Sequence, residues 1–276
     1  MSYADFRALA QPPAPRTIAY GQGPLQQIEL WKPGGKGTFP VILMIHGGCW
    51  QTKVAKADIM HRLAAAFVAQ GVAVWNVEYR GVDVAGGGYP GTFQDVAAAA
   101  DLLRERGRDF GLDPLHVVAL GHSAGGHLAL WLAGRHRIAR NSTLWEERPL
   151  PLSGVVSIGG IPDIEDARTS AVEACGADTI DRLVGQSTST HHDRYADTSP
   201  VSLAPLGVRQ VMLSGAADVI APPRFAQSYA AKVGAKGDTV SVATIPAQGH
   251  FELIAPGTAA GDAVIAAALH LLEQPR

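Results

Sequence analysis

The stretch Val118–Gly134, VALGHSAGGHLALWLAG, decides how the rest of the chain is read. It opens with apolar residues of strand character, turns at Gly-His-Ser-Ala-Gly (121–125), and continues with apolar residues at helical spacing. A strand that turns at once into a helix drives the residue at the turn into strained geometry, its side chain clear of the sheet. Small neighbours, here Gly121, Ala124 and Gly125, keep that tight path open. A serine hydroxyl is a poor nucleophile at neutral pH and needs a base beside it. Gly-x-Ser-x-Gly by itself is common; set between a strand and a helix, it marks Ser123 as a nucleophile. The Ala124 N–H, at the helix start, faces the same space and can stabilise an oxyanion.

Outward from this point, strands alternate with helices. FPVILMIHGG (39–48) and VAVWNVEYR (72–80) are the apolar runs of strands buried on both faces, and QQIELWKP (26–33) alternates like an edge strand. KADIMHRLAAAFVAQG (56–71) and the Ala-rich TFQDVAAAADLLRERGRDFG (92–111) read as helices. LSGVVSIGG (152–160), RQVMLSG (209–215) and DTVSVATIP (238–246) add strands, with helices near 222–233 and up to about 272. Such alternation implies an α/β domain: a mostly parallel central sheet with helices on both faces. The first two dozen residues read as an irregular surface segment. The periodicity also breaks down over 161–206, which reads as a cap or lid inserted into a single domain spanning 1–276.

Composition narrows the function classes. Of 276 residues, 47% are hydrophobic and 17% charged, which fits a globular chain with a large core. Lys and Arg number 23 against 25 Asp and Glu, so no field favours nucleic acid or an anionic membrane. Two cysteines, Cys49 and Cys175, do not make a disulfide framework and fit a reducing compartment. The first residues lack the basic start and apolar core of a signal peptide, and no apolar run reaches roughly 20 residues. The expectation is a soluble, cytoplasmic protein.

HGGCW (46–50) follows a buried strand, and consecutive glycines let a backbone aim N–H groups at a ligand. Ahead of Gly-x-Ser-x-Gly, it reads as the other half of an oxyanion hole, with Gly48 and Cys49 as donors beside Ala124. His46 reads as a brace for that loop. Among ten histidines, His250 follows the last strand, at the carboxyl edge where such a sheet gathers its site. His122 and His127 flank the nucleophile and point wrongly or lie within the helix. For the acid that orients the base, Asp218 follows the penultimate strand and Asp163 the one before it. The order Ser123, Asp218, His250 matches the Ser, acid, His order of one hydrolase fold. Metal chemistry finds little support: His122 and His127 are five apart rather than four, no cysteine pair has ligand spacing, and HHD (191–193) is weak alone. GGGYPG (86–91) lacks the lysine of a phosphate loop.

Together these segments resemble the α/β-hydrolase superfamily, and within it the kynurenine formamidase-like (arylformamidase) and hormone-sensitive-lipase-like carboxylesterases. The match runs from about Gln27 onward: HGGCW, Tyr79-Arg80 after the next strand, Tyr89-Pro90 with Asp95 on the following helix, GHSAGGHLA, SGAADVIAPP and GHFELI. Cysteine in the variable position of a Trp-terminated loop suits the formamidase-like branch. Gly81, where leucine is usual, and the glycine-rich GVDVAGGG depart from it.

The expectation is therefore a serine hydrolase of a small carboxylic ester or N-formyl amide. Ser123, Asp218 and His250 form the triad, Gly48, Cys49 and Ala124 the oxyanion hole, and Trp50, Tyr89, Ile161, His192 and Phe251 the substrate-binding side chains. No cofactor and no metal is required; the partner is a small-molecule ester or formamide, not nucleic acid or membrane, and a homodimer is left open. The rivals are a peptidase of prolyl-oligopeptidase type and a catalytically silent binding module on the same fold.

Overall fold

Why the centre of the sheet is so apolar follows from how it is covered. The structure, a computed structural model, describes residues 1–13, 15–170, 172–189, 191 and 193–274. In chain order its elements are α1 (Tyr3–Ala8), β1 (Arg16–Ala19), β2 (Gln27–Trp31), β3 (Phe39–Ile45), α2 (His61–Ala69), β4 (Ala73–Val77), α3 (Gly91–Arg106), β5 (Leu112–His122) and α4 (Ala124–Gly134). There follow β6 (Gly154–Ile158), α5 (Ile164–Ser170), α6 (Val172–Cys175), α7 (Thr179–Val184), α8 (Pro200–Leu203), β7 (Arg209–Gly215), α9 (Arg224–Gly234), β8 (Val240–Ile245) and α10 (Ala259–Glu273).

Eight strands form one sheet in the order β1-β2-β4-β3-β5-β6-β7-β8. β1–β2 and β2–β4 pair antiparallel; every other neighbour is parallel. Because strand side chains alternate faces, β3 sends Val41, Leu43 and Ile45 into one core and Ile42 and Met44 into the other. β5 does the same with Val117 and Ala119 against Val118 and Leu120. Helices α3, α4 and α9 cover the first face, through Phe93, Leu128 and Tyr229 among others. Helices α2 and α10 cover the second, through Leu63, Phe67 and Val264. No strand in the middle can face water, which is why the runs there do not alternate with polar residues.

The N-terminal segment is not irregular, as expected from its Pro-rich sequence, but holds α1 and β1. α1 is closed by a capping box, in which Ser2 Oγ accepts from the Asp5 N–H and the Asp5 carboxylate accepts from the Ser2 N–H. Its Phe6 is fully buried and anchors it to the second core. Six residues are too short for periodicity to register, so the anchor rather than the pattern defines this helix. The stretch 161–206 lies in the β6–β7 crossover and carries the short helices α5 to α8. Among the described residues, no helix is long and apolar enough to cross a membrane.

Candidate active site

β5 runs between β3 and β6, with Gly121 opposite both Ile45 and Ser157. This pairing fixes the strand end from both sides. Ser123, one residue past β5, then takes φ 54° and ψ −120°, a conformation that a residue with a Cβ rarely adopts. Its N–H donates to the Ile158 carbonyl (2.9 Å), and its carbonyl accepts from the Gly126 N–H (2.9 Å), holding the turn rigid. A Cβ at Gly121 would run into the Gly125 carbonyl, and one at Gly125 into the carbonyls of Ile45 and His46. The glycines of the motif are thus required by close backbone approach.

The loop after β3 passes alongside. Gly48, Cys49 and Trp50 all have positive φ (108°, 54° and 53°), a run that residues with a Cβ rarely adopt. Among the described residues, no backbone hydrogen bond outside the regular elements is donated by Gly48, Cys49 or Ala124. Their N–H groups are the unspent donors that an oxyanion hole needs. His46 braces this loop: Nδ1 lies 2.6 Å from the Gly47 carbonyl oxygen, Nε2 lies 3.1 Å from Glu78 Oε1, and Tyr79 stacks on the ring at 4.3 Å. Burial pushes the Glu78 carboxyl up, but His46 and the Ala57 and Tyr79 amides outweigh it and hold the group below its usual range. Arg80 clamps Asp95 with two contacts of 2.7 Å, tying the end of β4 to α3.

His250 Nδ1 donates to Asp218 Oδ2 at 2.7 Å, and both residues are buried. Asp218 Oδ1 accepts from the N–H groups of Ile220 (2.9 Å) and Ala221 (2.8 Å), so the carboxylate cannot swing away. With Nδ1 donating, neutral His250 carries its lone pair on Nε2, which has no hydrogen-bond partner among the described residues. Asp163 is engaged elsewhere, by Lys232 of α9 at 2.7 Å.

Ser123, His250, Gly48 and Cys49 line one cavity of about 540 Å³. Its remaining wall is mostly apolar and includes Tyr3, Val54, Ile59, Phe251 and Ile220. Of the five side chains expected around substrate, Phe251 lines this cavity. Trp50 does not: it is fully buried, and its Nε1 donates to His127 Nδ1 (3.3 Å) because an indole N–H in the core must find an acceptor. Ile161 is buried in the first core, the environment favoured by an aliphatic side chain with no polar atom to satisfy. Tyr89 lines a second cavity of about 710 Å³ with His191 and Asp197. His192 lies outside the described residues. From 161–206 only Ala174 reaches the first cavity among the described residues.

The cysteines require a correction. Cys49 and Cys175 are joined in a disulfide across a sequence separation of 126 residues, rather than standing as free thiols. α6 brings Cys175 over the glycine loop, with the two Cα atoms 5.3 Å apart, and Gln51 Nε2 donates to the Cys175 carbonyl (2.9 Å). Two cysteines cannot make a framework, but one bridge is enough to fasten the inserted segment to the loop. Sequence reasoning also missed α1 and Glu78, and set His122 aside. Glu78 had a signal, a carboxylate at the end of an otherwise apolar strand. Among the described residues no group of three or more His, Cys, Asp or Glu side chains could hold a metal ion.

Residues 28–233 match the family model BD-FAE, about three quarters of the chain. The chain belongs to the BD-FAE family. The BD-FAE match holds Ser123 and Asp218, while His250 lies beyond it. The chain is 28% identical over 264 residues to Esterase LipC of Mycobacterium tuberculosis, covering 93% of this chain and 64% of that protein. It therefore spans less than two thirds of this relative's length. Esterase B of Lactobacillus rhamnosis superposes with a TM-score of 0.80 at 21% identity, covering 98% of this chain and 90% of that one. A bacterial heroin esterase gives 0.73 at 22%, covering 98% and 86%. With its mostly parallel eight-stranded sheet, this BD-FAE member has the α/β-hydrolase fold.

Proposed function

We propose that the protein hydrolyses carboxylic esters through an acyl-enzyme on Ser123. One observation carries this reading: a serine at positive φ and a histidine bonded to a buried aspartate open onto the same cavity. The esterase names of LipC, of LipM (25% identical over 255 residues) and of the structural neighbours support the ester over the N-formyl amide.

His250 Nε2 takes the Ser123 proton as Oγ attacks the ester carbonyl. Asp218 holds the ring in the tautomer that leaves Nε2 free and stabilises the imidazolium. Negative charge on the former carbonyl oxygen is met by the N–H groups of Gly48, Cys49 and Ala124. The tetrahedral adduct collapses as His250 returns its proton to the leaving alkoxide. Water then repeats the sequence on the acyl-enzyme and frees the acid. These steps need no cofactor. The apolar wall suits an uncharged acyl or alkoxy group of more than a few carbons. The chain acts as one domain, with 161–206 as an insertion fastened to the oxyanion loop by the disulfide.

The test is a panel of p-nitrophenyl esters of rising acyl length, run beside N-formylkynurenine, on the wild type and Ser123→Ala. Turnover of esters and its collapse in the variant are expected. Formamide turnover without ester turnover would move the reading to an amidase, and ester turnover by the variant at wild-type rate would end it.

A further inference from the structure

We propose that His122 is a positioning residue for the base: it anchors the backbone of His250 to the end of the nucleophile strand. The proposal rests on the reading of Ser123 and His250 as nucleophile and base.

His122 closes β5, pairs with Ile158 in the parallel register, and is almost wholly buried. Its Nε2 lies 3.1 Å from the His250 carbonyl oxygen, which can only accept, so Nε2 carries a proton. Among the described residues that carbonyl has no other hydrogen-bond partner. The His250 segment arrives from β8 and is otherwise attached on either side of residue 250: the Gln248 carbonyl accepts from the Ala217 N–H at 2.8 Å, and the Phe251 carbonyl from the Ile254 N–H at 3.2 Å. His122 thus supplies the direct tie between the backbone carrying the base and the strand carrying the serine.

The ring also spans to the third part of the site. Its centroid lies 4.5 Å from that of His250, and a Cβ placed on Gly47 would lie 2.8 Å from its Nδ1 and 2.9 Å from Ser123 Cβ. Nucleophile, base and oxyanion loop therefore pack around one imidazole. Its Nδ1 is buried and has no hydrogen-bond partner among the described residues. Burial, then the neighbouring His250, holds its pKa well below the ordinary histidine value. Both facts describe a neutral ring with the proton on Nε2. A charged ring at this distance would oppose the imidazolium that forms on His250 during each turnover. A neutral ring that donates to the backbone fixes His250 without that repulsion, and displacement of a base by as little as 1 Å can cost about 10²-fold in rate.

The experiment compares His122→Phe, which keeps a ring but has no donor, with His122→Gln, whose amide nitrogen reaches the place of Nε2. With p-nitrophenyl acetate, His122→Phe is expected to lose at least about tenfold in kcat with KM within about twofold, since the cavity wall persists while the proton transfer is misaligned. His122→Gln is expected to recover most of that loss, with both variants melting cooperatively. Wild-type kcat in His122→Phe, or folded His122→Gln as impaired as His122→Phe, overturns the proposal. If the phenylalanine variant does not fold, long-range ¹H–¹⁵N spectra of the wild-type histidines at pH 6.5 decide it. The neutral Nε2–H form of His122 is required, and an Nδ1–H or doubly protonated ring contradicts it. Ester turnover surviving in Ser123→Ala would instead remove the underlying reading, an outcome separate from any of these.

Discussion

Two aspartates compete, on sequence, for the same task, and their hydrogen bonds separate them. Asp218 meets His250 Nδ1 at 2.7 Å and is itself held by two backbone amides, whereas Asp163 meets Lys232. An amide at 218 would present a donor or a weak acceptor to Nδ1 and so favour the wrong imidazole tautomer. Asp218→Asn is therefore expected to lower kcat roughly 10⁴-fold while leaving the fold intact. Asp163→Asn breaks a half-exposed contact to Lys232 and is expected to change kcat by less than about threefold, in keeping with the small worth of exposed ion pairs. Steady-state kinetics beside circular dichroism checks both, and the reverse ranking would contradict the geometry. At this scale the grouping of Ser123, Asp218 and His250 is legible from sequence, because Gly-His-Ser-Ala-Gly is a local strand–turn–helix signal and His250 and Asp218 follow strands in chain order. Trp50 and Ile161 were not legible as core residues. An aromatic or aliphatic side chain beside a catalytic loop has the same sequence signature whether it faces the cavity or the core.

At the scale of elements, the 161–206 segment and the glycine loop after β3 are joined through Cys49–Cys175. Pairing residues 126 apart depends on where α6 is carried, which no local pattern encodes. The same holds for α1: its contribution to the cavity arises from Tyr3 packing on Phe251 (ring centroids 5.2 Å apart) and donating to the Val54 carbonyl (3.0 Å). The strands and long helices, by contrast, carry enough turns or enough buried length for their periods to show. Cross-linking residues far apart in sequence restricts the unfolded chain, so Cys175→Ala is expected to lower unfolding stability by about 2–4 kcal/mol. The Cys49 amide stays in the loop in that variant, and turnover of a short ester should stay within about fivefold of wild type if the backbone donor is what matters. Urea unfolding and kinetics on the same preparation read both. Unchanged stability would show that the bridge does not constrain the unfolded chain, and abolished turnover in a folded variant would show that it holds the oxyanion loop in place.

For the molecule as a whole, the buried histidines couple stability to pH. His127 donates from Nε2 to the Thr198 carbonyl (2.8 Å) and accepts at Nδ1 from Trp50 (3.3 Å), so both nitrogens are committed in the neutral form. Burial lowers its pKa to about 4, although the Thr198 carbonyl favours the charged ring. The unfolded chain binds this proton near pH 6.5 and the folded chain only near 4, so between those values acid favours unfolding. His127 alone should cost about 1.5 kcal/mol of stability from pH 6.5 to 5, and His122 adds to it in the same direction. Urea midpoints across this range should fall with pH, and fall less steeply in His127→Gln; parallel slopes would contradict the assignment. Whether this fold holds Ser123 as an activated nucleophile is read by intact-mass and peptide mass spectrometry after treatment with a fluorophosphonate. One phosphonyl adduct per chain is expected, located on Ser123 and absent from Ser123→Ala. An unlabelled wild type, or an adduct on another residue, would contradict it.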